Sequence, residues 1–183
     1  MSKNIFITGT PTVGKSTIAS EVADKVGAEL VKINDFANQN NLVLGTDPDR
    51  GYKIIDMDNL DSELSKKLDS LSENKIAIVE GHLSHFCSDA DKIIVLRANP
   101  TILKERLSKR GYSESKILEN LEAEALNVCG SEAFDIHGKK VNEIDCSDLE
   151  IDEIVDLIIA IINDEKEFPF GSVDFLTWII ENQ

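Results

Sequence analysis

Three short runs are apolar almost without a break: Ile5-Phe6-Ile7, Ile76-Ala77-Ile78-Val79 and Ile93-Ile94-Val95-Leu96. Strands buried on both faces have this pattern, because crossover helices cover both sides of a parallel sheet. Residues 29–33 predict a weaker strand, and residues 141–147 alternate as a final one at the sheet edge or next to it. Helical spacing fills the intervals. Ser16 to Val26 is apolar at 18, 19, 22, 23 and 26 and stops at Gly27. A second helix runs from Asp58 or Asn59 to about Leu71, and a third starts at Pro100 and ends by Gly111. Ser113 to Val128 reads as one long helix and 151–164 as a mostly buried one. Asn34-Asp35 caps a short helix from Phe36 to about Asn41, and Ser172 caps a last one through Trp178 and Ile180. Residues 43–57 lack a period and carry Gly45, Pro48 and Gly51, which predicts a mobile loop with one extended piece. The alternation gives an α/β fold of three layers, with a parallel sheet flanked by helices, in a single domain spanning 1–183.

Between the first strand and the first helix lies Gly9-Thr10-Pro11-Thr12-Val13-Gly14-Lys15-Ser16-Thr17, which reads G-x-x-x-x-G-K-S. In that context it is a phosphate-binding loop. Its backbone N–H groups wrap a β-phosphate, and the positive end of the following helix points at the anion. Lys15 then reaches the β- and γ-phosphates and the Ser16 hydroxyl binds Mg²⁺. A cation in the first turn of a helix has the wrong sign unless it meets an anion.

The other candidate residues follow from their places on the predicted elements. Glu80 ends the apolar run 76–79, where a strand-tip carboxylate holds Mg²⁺, usually through water. His82 stands two residues on, either as a plain loop histidine or placed to position a water or donate to a phosphate. His85 is read as a loop residue. Arg106 and Arg110 are four apart on one helical face, which makes either a clamp for phosphate oxygens or a salt-bridged face with Glu105 and Glu114. Asp35 follows a strand, so it is an N-cap, part of a substrate site at the ligand-binding edge, or both. Arg50 and Lys53, in the loop 43–57, are candidates for a second anionic substrate.

Composition narrows the picture. A length of 183 residues with 42% hydrophobic and 29% charged residues suits one soluble domain with a real core. The longest apolar stretch, 154–162, is interrupted by Asp156 and too short to span a bilayer, and the N-terminus has no signal-peptide pattern. The cysteines at 87, 129 and 146 form no C-x-x-C pair, which argues against a zinc site or disulfide framework and suits a reducing cytoplasm. A net charge of −15 argues against a broad nucleic-acid surface. It fits a basic protein partner or a solubility adaptation equally well.

Five stretches in order, I-F-I-T-G-T-P-T-V-G-K-S-T at 5–17, I-N-D-F-A at 33–37, I-V-E-G-H at 78–82, V-L-R-A-N-P-T-I-L-K-E-R-L-S-K-R-G-Y at 95–112 and V-N-E-I-D-C-S at 141–147, resemble the adenylate kinase isoenzyme 6 family. That family lies within the nucleoside monophosphate kinases of the P-loop NTPase fold. The resemblance implies a five-stranded parallel sheet, ATP at Gly9–Thr17, a monophosphate site within about 34–60 and a short lid at about 106–116 carrying Arg106 and Arg110. Glu80-Gly81-His82 matches the family's acid-x-His motif, linked there to Mg²⁺ and ATP hydrolysis. The implied activity is Mg-ATP + AMP ⇌ 2 ADP, with an ATPase role in small-ribosomal-subunit maturation beside it. The alternative is an ATP-switched assembly factor bound to a basic ribosomal protein of the small subunit, and a kinase for a non-nucleotide small molecule is a third reading. Two positions depart from the family pattern. Thr12 stands where Gly is common, and Asn38 where some members have Arg, for which Arg50 or Lys53 would compensate.

Overall fold

The computed structural model describes residues 3–48 and 51–182. In chain order these form β1 (Lys3–Gly9), α1 (Lys15–Val26), β2 (Glu29–Lys32), α2 (Ile33–Gln39), β3 (Val43–Thr46), β4 (Lys53–Ile55), α3 (Met57–Asp69) and β5 (Ile76–Glu80). There follow β6 (Lys92–Arg97), α4 (Pro100–Lys109), α5 (Glu114–Ala125), α6 (Val128–His137), β7 (Val141–Asp145), α7 (Ile151–Ile162) and α8 (Leu176–Glu181). Five strands make one sheet in the order β2-β5-β1-β6-β7, and every neighbouring pair is parallel. Its two faces bury separate apolar layers. Ile5 and Ile7 of β1 face Ile18, Val22, Leu103, Leu121 and Ile158, while Phe6 faces Leu60, Leu64 and Ala133. Successive side chains of a strand point to opposite faces, so one central strand serves both layers. The three-layer α/β expectation therefore holds.

The structure differs from the sequence reading at the element ends. Helix α2 begins at Ile33, so Asp35 lies inside its first turn and is no cap. Within the segment expected to be a loop with one extended piece, strands β3 and β4 pair antiparallel with a register shift. Asp56 starts α3 earlier than expected, because its carboxylate accepts from Asn59 N at 3.2 Å. The helix expected over 113–128 breaks after Ala125. Asn127 takes a left-handed φ of 55°, and α6 starts beyond it. Ser172 caps nothing; Asp174 accepts from Leu176 N at 2.8 Å instead.

Beneath the phosphate loop, a buried histidine ties the turn after β5 to β1. His85 is wholly buried, with Nδ1 2.8 Å from Thr8 Oγ1 and Nε2 3.2 Å from Glu132 Oε2. Burial, aided by His82, His137 and Lys15, holds its pKa down to about 4, so the ring is neutral at pH 7 and its contacts are hydrogen bonds. His85 is thus structural.

The loop itself carries unusual backbone. Gly9 has φ 136°, and a Cβ there would meet Leu96 O at 2.4 Å, so only glycine fits. Thr12 keeps a left-handed φ of 70° although it is β-branched, and its Oγ1 is buried without a hydrogen-bond partner. The loop has therefore not relaxed to suit threonine.

Two predictions follow from these anchors. Replacing Thr12→Gly relieves a conformation that costs on the order of 1–3 kcal/mol, offset in part by glycine's greater chain entropy. The net effect expected is stabilisation of about 1 kcal/mol, or a melting midpoint higher by about 2–4 °C. A midpoint equal to or below the wild type would show that the loop carries no such strain. For His85, the unfolded chain takes up a proton near pH 6.5 and the folded chain only near 4. Stability is therefore full above 6.5 and is lost as pH falls through that window. Urea unfolding at pH 7 and pH 5 should differ by about 2 kcal/mol on account of this group, and His85→Gln should lose that share of the difference. An unchanged pH dependence in the variant would refute the assignment.

Candidate active site

The G-x-x-x-x-G-K-S segment connects the tip of the central strand β1 to helix α1, and Gly14 at φ 114° turns the chain into the helix. Lys15 lies half-buried across this loop, with Nζ donating to Gly9 O at 2.8 Å and Thr10 O at 2.9 Å. Burial lowers its pKa to about 8; Glu80 and Glu124 pull it up and Arg110 pushes it further down. An ammonium in a poorly hydrated place that meets only neutral carbonyls would gain from a phosphate.

Around the loop, four elements bring further groups together. Ser16 Oγ donates to Glu80 Oε1 at 3.1 Å, joining the first turn of α1 to the tip of β5. A hydroxyl and a carboxylate side by side are hard oxygen donors, and Mg²⁺ is commonly held by few protein oxygens together with waters and phosphate. The pair fits that ion. Among the described residues no group of three or more His, Cys, Asp or Glu could hold a metal ion. Arg106 Nη1 reaches Val13 O at 3.4 Å, so its guanidinium lies on the loop, while Arg110 stands exposed at the C-cap of α4.

His82 Nδ1 is 3.2 Å from Gly9 O. A carbonyl only accepts, so Nδ1 carries the proton. Partial burial and the charge of Lys15 lower the pKa, which keeps the ring neutral at pH 7 and leaves the Nε2 lone pair available. The thiol of Cys129 is 3.9 Å from the same nitrogen, but burial pushes its pKa up to about 12, so it is no nucleophile.

The remaining candidates lie apart. Asp35 is exposed in the first turn of α2 and lines a groove along the outer strand β2 with Glu29, Lys32 and Lys67. Lys53 Nζ donates to Asn38 Oδ1 at 2.9 Å, so a cation from β4 stands at position 38. Arg50 lies outside the described residues.

Two arrangements escaped sequence reading. Lys116 Nζ is 3.9 Å from the ring centre of Tyr52 and 4.6 Å from that of Tyr112, which ties the residue before β4 to the start of α5. Arg97, Glu124 and Glu143 form a wholly buried charge cluster beside the loop. A signal for the cluster existed: Glu124 falls on the helical face of Ile117, Leu121 and Val128, where a carboxylate requires a partner.

Comparison with known proteins bears on the family and the fold. A family profile described as "AAA domain" matches residues 5–127. A protein of Methanothermobacter thermautotrophicus named "Putative adenylate kinase" is 44% identical over 96% of this chain and 99% of its own. One from Methanocaldococcus jannaschii, with the same name, is 42% identical over 93% of this chain and 92% of its own. Among solved structures, shikimate kinase from Acinetobacter baumannii superposes with a TM-score of 0.63 at 12% identity, covering 91% of this chain and 96% of its own. A gluconokinase from Sinorhizobium meliloti gives 0.58 at 17% identity over 88% and 92%. Those two likenesses concern the fold. The coverage and identity of the archaeal proteins settle the kinship: this chain belongs to their family, a family of phosphate-loop kinases.

Proposed function

We propose that this protein is an adenylate kinase, transferring a phosphoryl group from Mg-ATP to AMP to give two ADP. The observation that carries the reading is the convergence of Lys15, Arg106 and the Ser16–Glu80 pair on one phosphate loop. Phosphoryl transfer needs alignment and charge neutralisation rather than a covalent protein nucleophile. Lys15 would leave its two carbonyl partners for phosphate oxygens. Arg106, already on the loop, and Arg110, one helical turn on, would balance charge on the transferred group. Ser16 and Glu80 would hold Mg²⁺, which supplies charge neutralisation across the phosphates when bound.

For the acceptor, we place the monophosphate within about 34–60, with Lys53, Arg50 and Asp35 as its binding residues, and the lid at about 106–116. Lys53 at Asn38 supplies a cation where the family resemblance leads one to look for arginine. The Lys116 contacts with Tyr52 and Tyr112 give the two regions a direct link, so that closing one draws on the other.

A second reading rests on His82. A neutral imidazole with a free Nε2 beside the loop is suited to orient a water, which is what an ATPase requires. With the resemblance to the isoenzyme 6 family and the net charge of −15, this supports an assembly factor for the small ribosomal subunit that binds a basic protein. Three free, buried cysteines accord with a cytoplasmic setting.

The test is ADP formation from Mg-ATP with AMP, CMP, GMP, UMP or no acceptor. Strong AMP dependence is expected, and ATP loss independent of acceptor would replace the kinase reading with the ATPase one. Lys15→Ala should lower turnover by at least ~100-fold, the scale of one charge-stabilising group; near-normal turnover would sink the mechanism. His82→Ala should reduce acceptor-independent ATP loss more than AMP-dependent transfer. Equal losses in the two would remove the hydrolytic role of the imidazole.

A further inference from the structure

The phosphate loop is tied by a side chain to the buried charge cluster. Thr10, only 3% exposed, donates its hydroxyl to Glu124 Oε2. The carboxylate that receives it cannot swing. Its other oxygen accepts from Arg97 Nε at 2.7 Å and from Ala98 N at 3.1 Å, and Arg97 Nη2 donates to the carbonyl of Glu124 at 2.7 Å. Arg97 Nη1 is in turn 3.2 Å from Glu143 Oε1, whose partner oxygen accepts from Gly171 N at 2.8 Å. Glu124 is thus a post fixed to β6, β7 and the chain after α7.

We propose that Glu124 is a positioning residue for nucleotide binding: through Thr10 it keeps the phosphate loop in shape when Lys15 leaves the loop for a phosphate. The inference rests on the nucleotide-binding reading given above. At rest the carbonyls of Gly9 and Thr10 are held by Lys15 Nζ. Those bonds must break as the ammonium turns to a phosphate, just when the loop must stay preorganised. Thr10 then keeps the turn bond from Val13 N to its carbonyl at 3.3 Å, which lies within the loop, and its hydroxyl on Glu124, which ties the loop to the block behind it. A carboxylate near a phosphate site would repel the ligand, and Arg97, bound to it through Nε and shared with Glu143, offsets part of that charge. An apolar residue at position 10 would fill the same buried space and lack the tie.

Thr10→Val removes the hydroxyl at nearly constant volume, and Thr10→Ser restores it. The readouts are KM and kcat for Mg-ATP, Kd for Mg-ADP by calorimetry, and the melting midpoint. A bond to a charged acceptor predicts that Val raises Kd and KM at least ~10-fold, with kcat changed less than KM and Ser within about threefold of wild type. In a Glu124→Ala background, Thr10→Val should add no further loss of affinity. Unchanged Kd in Thr10→Val, even with a lowered midpoint, would overturn the proposal, because the tie would then serve only the fold. Additive losses in the double variant would overturn it as well. If Glu124→Ala does not fold, the Val and Ser variants decide alone. Wild-type protein that binds no Mg-ADP would defeat the nucleotide reading itself, an outcome distinct from a normal wild type with an unaffected variant.

Discussion

An arginine that is 1% exposed has to find negative charge inside the protein, and much of this structure is arranged to supply it. Arg97 ends β6, and its neighbour in the sheet is β7, which contributes Glu143. Helix α5 crosses above to contribute Glu124. The left-handed turn at Asn127, which ends α5 early, brings the Asn127 amide to Glu143. Gly130 at the start of α6 leaves room for this contact: a Cβ there would lie 2.1 Å from Asn127 Oδ1 and 2.6 Å from Glu143 Oε1, and those side chains would have to shift. The backbone after α7 closes the cluster through Gly171 N, and Phe175 covers the guanidinium at 5.4 Å. One guanidinium serves two carboxylates, so removing Arg97 would leave both of them buried without a cation, and these elements are constrained together.

The phosphate loop stands against this fixed block and has a different character. Its two glycines adopt backbone angles that other residues avoid, and Thr12 adopts one although it pays for doing so in strain. Lys15 is held in a place that lowers its affinity for its proton. The setting of the lysine lowers the stability of the resting loop relative to a loop filled by phosphate, because phosphate would give the ammonium its anion. A rigid support with a poised lysine is the arrangement that electrostatic preorganisation asks for.

How much of this could be read from the chain depends on the range of the interaction involved. The apolar runs of β1, β5 and β6, the loop at 9–17 and the carboxylate of Glu80 were legible, because each is specified by neighbours in sequence. The meeting of Ser16 with Glu80 suits the Mg²⁺ role read for each, and it depends on β5 lying beside β1. The break at Asn127 was not legible: Leu126 and Val128 continue the helical pattern, and the left-handed residue is fixed by Glu143, distant in sequence. Asp35 resembled a cap because it follows a strand, yet Ile33 is wholly buried and draws the helix start back to itself. The pairing of β3 with β4 was hidden by nearby glycines and by the register shift between Val43 and Gly45.

Transfer and hydrolysis differ only in which oxygen attacks the phosphoryl group, so the fate of ATP here turns on what the cleft admits. His82 offers a neutral nitrogen beside the loop that a water could use. Excluding that water falls to the segments that can cover the site. The ammonium of Lys116 between Tyr52 and Tyr112 joins the hairpin side to the α4–α5 connection, and a cation between two rings is a contact that partial opening would weaken. An acceptor that draws the hairpin in would strengthen this contact and dry the site, favouring transfer. Without an acceptor the same residues would leave room for water at His82. One loop and one histidine are therefore compatible with both activities, and the closing contact is what would apportion them.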